Sequence, residues 1–129
     1  MLFPMQPRVF IASRHSTERS ALRLLLPELD SQIVGEAADW RAVLVSAAYA
    51  KPDVVVLDWN VMSAAKVSAV SPLRQACPPA LLIVLMSRLD LRQQEALGAG
   101  ADVVVNKDDD AGCVVENLRY AISLRSAPD

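Results

Sequence analysis

The sequence predicts an α/β domain, a parallel sheet of five strands wrapped on both faces by helices, and three observations predict it. Apolar runs of strand length alternate five times with stretches of helical period, the pattern of strands joined by crossover helices. Two of those runs, Val54-Val55-Val56-Leu57 and Leu81 to Met86, are apolar throughout and suit central strands buried on both faces. The chain's 129 residues, 53% of them apolar and 22% charged, supply one core but not two, so residues 1–129 are read as one domain. Its core runs from about 7 to 124, with 125–129 as a tail or linker stub.

The elements follow in order. Val9-Phe10-Ile11-Ala12 is a short buried strand, and from Thr17 the residues Ala21, Leu22, Leu24, Leu25 and Leu26 fall at helical spacing until Pro27. Ser16 or Thr17 is the expected N-cap. Gln32 to Ala37 alternates as a strand nearer an edge, and Asp39 caps a helix whose stripe runs through Val43, Leu44, Ala47 and Ala48 to Lys51-Pro52. The third strand ends at Asp58. A loop through Trp59, Asn60, Val61 and Met62 leads to Ser63, the expected N-cap of one weakly amphipathic helix through Val67, Val70, Leu73 and Ala76, which Cys77-Pro78-Pro79 ends. The fourth strand precedes a helix with capping-box spacing at Asp90 and Gln93, ending near Gly98-Ala99-Gly100. Val103-Val104-Val105 is the fifth strand, and Asp108, Asp109 and Asp110 place negative charge at the start of the last helix, where the dipole favours it.

Composition excludes several classes. A net charge of −2 and the lack of any Lys/Arg cluster with interleaved aromatics give no field for a polyanion, so direct nucleic-acid binding is not expected. No apolar stretch reaches membrane-spanning length and the first residues lack a signal-peptide layout, so the expected location is cytoplasmic. Cys77 and Cys113 are far apart with no companion spacing, and His15 is the single histidine, which argues against a metal cluster and against a Ser/His/Asp or Cys/His catalytic set. Only four glycines occur, and neither familiar phosphate-binding glycine motif is present.

Asp58, delivered by a buried strand to the rim of the sheet, is the leading functional candidate, because the carboxyl ends of parallel strands are where α/β proteins bind ligands. With Lys107 just after the fifth strand, and with the strings Ile33-Val34-Gly35-Glu36-Ala37, Lys51-Pro52-Asp53 to Asp58, Ala96-Leu97 to Asp102 and Lys107-Asp108-Asp109, the chain resembles the response-regulator receiver domain of two-component signalling. The resemblance spans residues 7 to 124, and the Lys-Asp-Asp ending is closest to receivers that precede a helix-turn-helix effector. It implies a flavodoxin-like (βα)5 fold with strand order 2-1-3-4-5, Asp58 as phospho-acceptor and Lys107 as the pocket lysine.

Other positions depart from the family. Two acids that would hold Mg²⁺ with the phospho-acceptor fall on Ser13 and Arg14, the hydroxyl at the end of strand four falls on Met86 with Ser87 one residue further, and the switch aromatic falls on Val104. Asn60 lies in the loop beside the acceptor. Counting Asp58, Lys107 and Arg14, the pocket holds at most about +1, against about −2 for three carboxylates and a lysine, so Mg²⁺ is expected to bind weakly or not at all and no cofactor is expected. Arg14 either turns toward Asp58 and pairs with it or points to solvent, and the two stay open. Met86 cannot donate the hydroxyl's hydrogen bond and Val104 has no ring to swing, so the usual output coupling is expected to be broken unless Ser87 substitutes. His15 is expected to be a positioning or exposed residue, and Trp59 to lie beside the pocket, partly exposed, as a partner contact or a lid.

The leading expectation is an atypical, non-enzymatic receiver acting through protein–protein contacts. Its partners would be a histidine kinase or another signalling protein, or a second copy through the face of helix four, strand five and helix five. The alternatives are a phosphorylation-competent receiver that accepts phosphate on Asp58 and a flavodoxin-like domain that binds a small ligand at the mouth of the sheet.

Overall fold

The protein is described by a computed structural model for residues 6–67, 69–87 and 89–126, with side chains described for 6–67, 69–87 and 94–125. Strands β1 (Arg8–Ala12), β2 (Gln32–Ala37), β3 (Val54–Asp58), β4 (Leu81–Met86) and β5 (Val103–Asn106) form one parallel sheet in the order β2-β1-β3-β4-β5, as the resemblance implies. Helices α1 (Ser16–Leu25), α2 (Trp40–Ala50), α3 (Trp59–Ala64), α4 (Ser71–Ala76), α5 (Leu89–Gly98) and α6 (Ala111–Ser126) cover its faces. A 3-10 turn, Leu26–Leu29, follows α1 at Pro27.

Strand side chains alternate between the two faces, and this divides the core in two. Val9, Ile11, Val54, Val56, Ile83, Leu85 and Val105 pack under α1 and α6, against Leu22, Leu118 and Ile122. On the other face Phe10, Val55, Leu57, Leu82, Val84 and Met86 pack against Trp40 and Val43 of α2, Met62 of α3, Leu73 of α4 and Ala96 of α5. Every residue of β3 is buried, including Asp58.

Helix ends account for most departures from the sequence expectations. The single helix expected from Ser63 to Ala76 is two. Asp58 itself caps the first, accepting from Asn60 N at 2.8 Å, so the expected loop after Asp58 is already helical and Ser63 lies inside α3. Lys66, with φ 57, takes the left-handed conformation that ends α3, and α4 restarts with Pro72 in its first turn, where the ring is tolerated. The N-cap of α1 is His15 rather than Ser16 or Thr17, because Ser13 Oγ accepts the His15 N–H at 3.1 Å and turns the chain earlier. Asp39 caps α2 as expected, accepting from Ala42 N at 2.9 Å. Asp110 accepts from Cys113 N at 3.0 Å at the head of α6. The capping box expected at Asp90 and Gln93, and residues 127–129, lie outside the described side chains and residues.

Trp59 is not partly exposed. It is 4% accessible and belongs to the core on the α2–α5 face. Cys77 is buried, Cys113 is exposed, and both are free thiols.

Candidate functional site

Side-chain parity decides which residues meet at the rim. Asp58 continues the Val54–Val56 series on the face under α1 and α6, and Lys107 continues the Val103–Val105 series on the same face. Lys107 is fixed just past β5 by its N–H donating to Met86 O at 3.0 Å. Its Nζ reaches Asp58 Oδ2 in a short ion pair, and Asp58 Oδ1 accepts from Asn60 N at 2.8 Å. Asp58 is 1% accessible.

A third member, absent from the sequence reading, is Glu18. The first turn of α1 lies over this face, and Glu18 Oε2 accepts from Lys107 Nζ at 3.1 Å. Arg19 beside it fastens the turn, with Nη1 donating to Ser13 O at 2.7 Å and Nε to Glu36 Oε1 at 3.1 Å. Arg23 adds a second bridge to Glu36 at 2.8 Å. The signal that finds Glu18 is parity: a residue pointing toward α1 from the end of β3 meets whatever the first turn of α1 carries inward.

Ser13, at one of the acidic-pair positions, is fully buried, and its polar groups are engaged in the turn, the side chain by His15 N and the carbonyl by Arg19. Arg14 is exposed and lines a shallow hollow with Trp40, Arg41 and Val61, so of its two open orientations the structure takes the outward one. The pocket charge counted from sequence therefore changes. Arg14 leaves the sum and Glu18 enters it, replacing a surplus positive charge with two acids around one lysine.

Met86 is buried on the opposite face, in the core cluster that Val104 packs against, since both follow the other parity. Ser87 lies exposed beyond the strand, and His15 is exposed at the head of α1. Of the residues named from sequence, Asp58, Lys107 and the backbone of Asn60 are brought into direct contact.

The electrostatics follow from burial and neighbours. Burial pushes the Glu18 carboxyl up, the hydrogen bond and charge of Asp58 push it further, and Lys107 offsets only part, leaving it at about 7. Burial also raises Asp58, but hydrogen bonds with Glu18, Lys107 and Asn60 and the lysine charge outweigh it and hold Asp58 below the ordinary range. Burial lowers Lys107, but its two carboxylate partners more than reverse this and raise it.

Stability should carry the mark of Glu18. Its folded pKa of about 7 exceeds the ordinary 4.5, so the folded form binds a proton more tightly between those values. That stabilisation is complete below pH 4.5 and is lost as pH rises through 7. Discounted for partial exposure, the expected fall is about 1–2 kcal/mol. Asp58 acts only at more acid pH and Lys107 only at alkaline pH, since their shifts lie on the far sides of that window. Urea melts across it should show the decline in the native protein and a flatter profile in Glu18→Gln.

No family model matches the chain, and no curated protein sequence matches it. Solved structures do. The response regulator domain of Thermotoga maritima CheB superposes with a TM-score of 0.75 at 21% identity, over 96% of this chain and 98% of that one. The signal receiver domain of the putative response regulator NarL from Mycobacterium tuberculosis gives 0.71 at 24% identity, over 93% and 98%. A LuxR-family two-component response regulator from Aurantimonas sp. SI85-9A1 gives 0.76 at 22% identity, over 93% and 87%. The chain therefore has the fold of response-regulator receiver domains.

Proposed function

We propose that this chain is an atypical receiver domain of two-component signalling, working through protein–protein contacts, with metal-dependent phosphorylation impaired and no metabolic catalysis of its own. The observation that carries this reading is the direct ion pair between Asp58 and Lys107, braced by Glu18, at the phospho-acceptor position. The donor set is a poor fit for a divalent cation. Both carboxylates are engaged by the lysine, Ser13 is engaged in its turn, and Arg14 faces outward. Among the described residues no group of three or more His, Cys, Asp or Glu is placed to hold a metal ion.

Protein contact is favoured by apolar side chains left at the surface. Leu97 on α5 and Tyr120 and Leu124 on α6 are exposed on the two helices that flank β5, an edge strand. With the predicted third helix divided in two, these are the helix-four and helix-five positions of the sequence reading, and we assign the face to a signalling partner or a second copy. Among the described residues no helix is long and apolar enough to cross a membrane.

The test is incubation of the native protein with acetyl phosphate and Mg²⁺, followed by intact mass, alongside a Mg²⁺ titration of tryptophan fluorescence. Trp59, adjacent to Asp58, is the reporter. Little phosphoryl adduct and no saturation at low-millimolar Mg²⁺ are expected. Rapid stoichiometric labelling would establish instead the phosphorylation-competent receiver, which the retained Asp58 and Lys107 favour.

A further inference from the structure

The Glu18–Lys107–Asp58 cluster does more than disfavour a metal, and its added role rests on the receiver reading and deepens it. Glu18 Oε2 accepts from Lys107 Nζ at 3.1 Å, and its Oε1 is buried with no hydrogen-bond partner among the described residues. The Asp58 carboxylate accepts from Asn60 N on one oxygen and from Lys107 Nζ on the other, and Glu18 holds that amine from the side of α1. The brace is firm because Arg19 and Arg23 tie α1 to Ser13 and Glu36.

We propose that Glu18 is a positioning residue that cages the phospho-acceptor by holding Lys107 from α1 so that the amine stays on Asp58, and so withholds the carboxylate from phosphoryl transfer. Transfer from an acyl phosphate forms a bond between an Asp58 oxygen and phosphorus and breaks the donor's phosphorus–oxygen bond, whose electron pair leaves with the donor's carboxylate. It needs a free carboxylate lone pair aimed at phosphorus, and the cage leaves Asp58 poorly placed to offer one.

The experiment compares the full chain with Glu18→Ala, Glu18→Ser and Glu18→Gln, each with acetyl phosphate and Mg²⁺ and read by intact mass, with Asp58→Asn added to each as the site control. A glutamine amide oxygen accepts from Lys107 Nζ as the Glu18 carboxylate does, whereas alanine cannot and serine is too short. Glu18→Ala and Glu18→Ser are expected to label Asp58 at least about tenfold faster than the native protein, about 1.4 kcal/mol of barrier, while Glu18→Gln stays near native. Acylation of the Lys107 amine by a small reagent should rise in the two truncations and not in Glu18→Gln, a change that mere loss of packing would not reverse on rescue.

If the truncations label no faster than native, the cage fails while the impaired-receiver reading stands. Equal acceleration in Glu18→Gln would mean that Glu18 acts by its negative charge and would also overturn the cage. Slower Mg²⁺-supported labelling in all three variants would make Glu18 a metal-holding carboxylate, again overturning it. Rapid labelling of the native protein would overturn the cage and the impaired-receiver reading together.

Discussion

Replacing Lys107 with methionine should lower stability at pH 7 by about 3 kcal/mol, the largest effect expected of any change at the site, because it strips the counter-charge from a buried carboxylate. Asp58 is 1% accessible and its other partners are a single backbone N–H and another acid. Lys107 retains some solvent contact, at 23% side-chain accessibility, which places the cost at the lower end of what breaking a buried pair commonly brings. Without the lysine, Asp58 and Glu18 become two acids in one dry site, and one must take up a proton. Adding Asp58→Asn to Lys107→Met removes that conflict and should recover more than half the loss. Urea denaturation of the two single variants and the double gives the coupling energy directly. A Lys107→Met cost under about 1 kcal/mol would mean that the amine is solvated and the pair carries little weight.

Phe10→Ala should cost about 3–5 kcal/mol, nearer the top of that range. Phe10 is fully buried on β1, and its ring covers Gly35 on the edge strand β2. A Cβ on Gly35 would stand 2.9 Å from Phe10 Cε2, so glycine is what lets the ring lie there. Removing the ring opens a cavity beside a residue with no side chain to refill it. Gly35→Ala should therefore reverse sign with background: destabilising in the native chain, where it collides with the ring, and stabilising in Phe10→Ala, where its methyl enters the cavity. Denaturant midpoints of the four proteins test this, and a Gly35→Ala effect of one sign in both backgrounds would refute it.

The strands were legible because each carries its own signal. Leu81 to Met86 is uninterrupted apolar sequence, and such a run in an α/β pattern has few destinations other than a strand covered on both faces. Local chemistry also made Asp39 readable as a cap, since the capping oxygen and the N–H it binds lie three residues apart. Where local signals compete, the reading failed. Ser63 resembles an N-cap as well as Asp58 does, and the choice went to Asp58 because the strand end already holds that carboxylate over the next turn. Trp59 next to a polar rim reads as half-exposed, yet the turn into α3 carries its ring into the core.

At the site, Asp58 was visible from its position at the end of an apolar strand, and Lys107, just after the fifth strand, was marked by the resemblance. Glu18 was hidden, because along the chain it is one polar residue in the first turn of an amphipathic helix and nothing nearby marks it. Forty residues separate it from Asp58 and more than eighty from Lys107, so their meeting depends on how α1 docks across β1 and β3.

By itself the sequence determined the α/β class, the parallel sheet and the placement of Asp58 at the carboxyl edge of the sheet, because apolar periodicity and strand-end placement are properties of short windows. Only the tertiary structure decided what surrounds Asp58. It turned Arg14 outward, sent Met86 to the opposite face, buried Ser13 in a helix-fastening turn and brought Glu18 against Lys107. The reason is that charge in a buried site is set by which side chains the packed layers force into one volume, and packing joins residues that no local pattern connects.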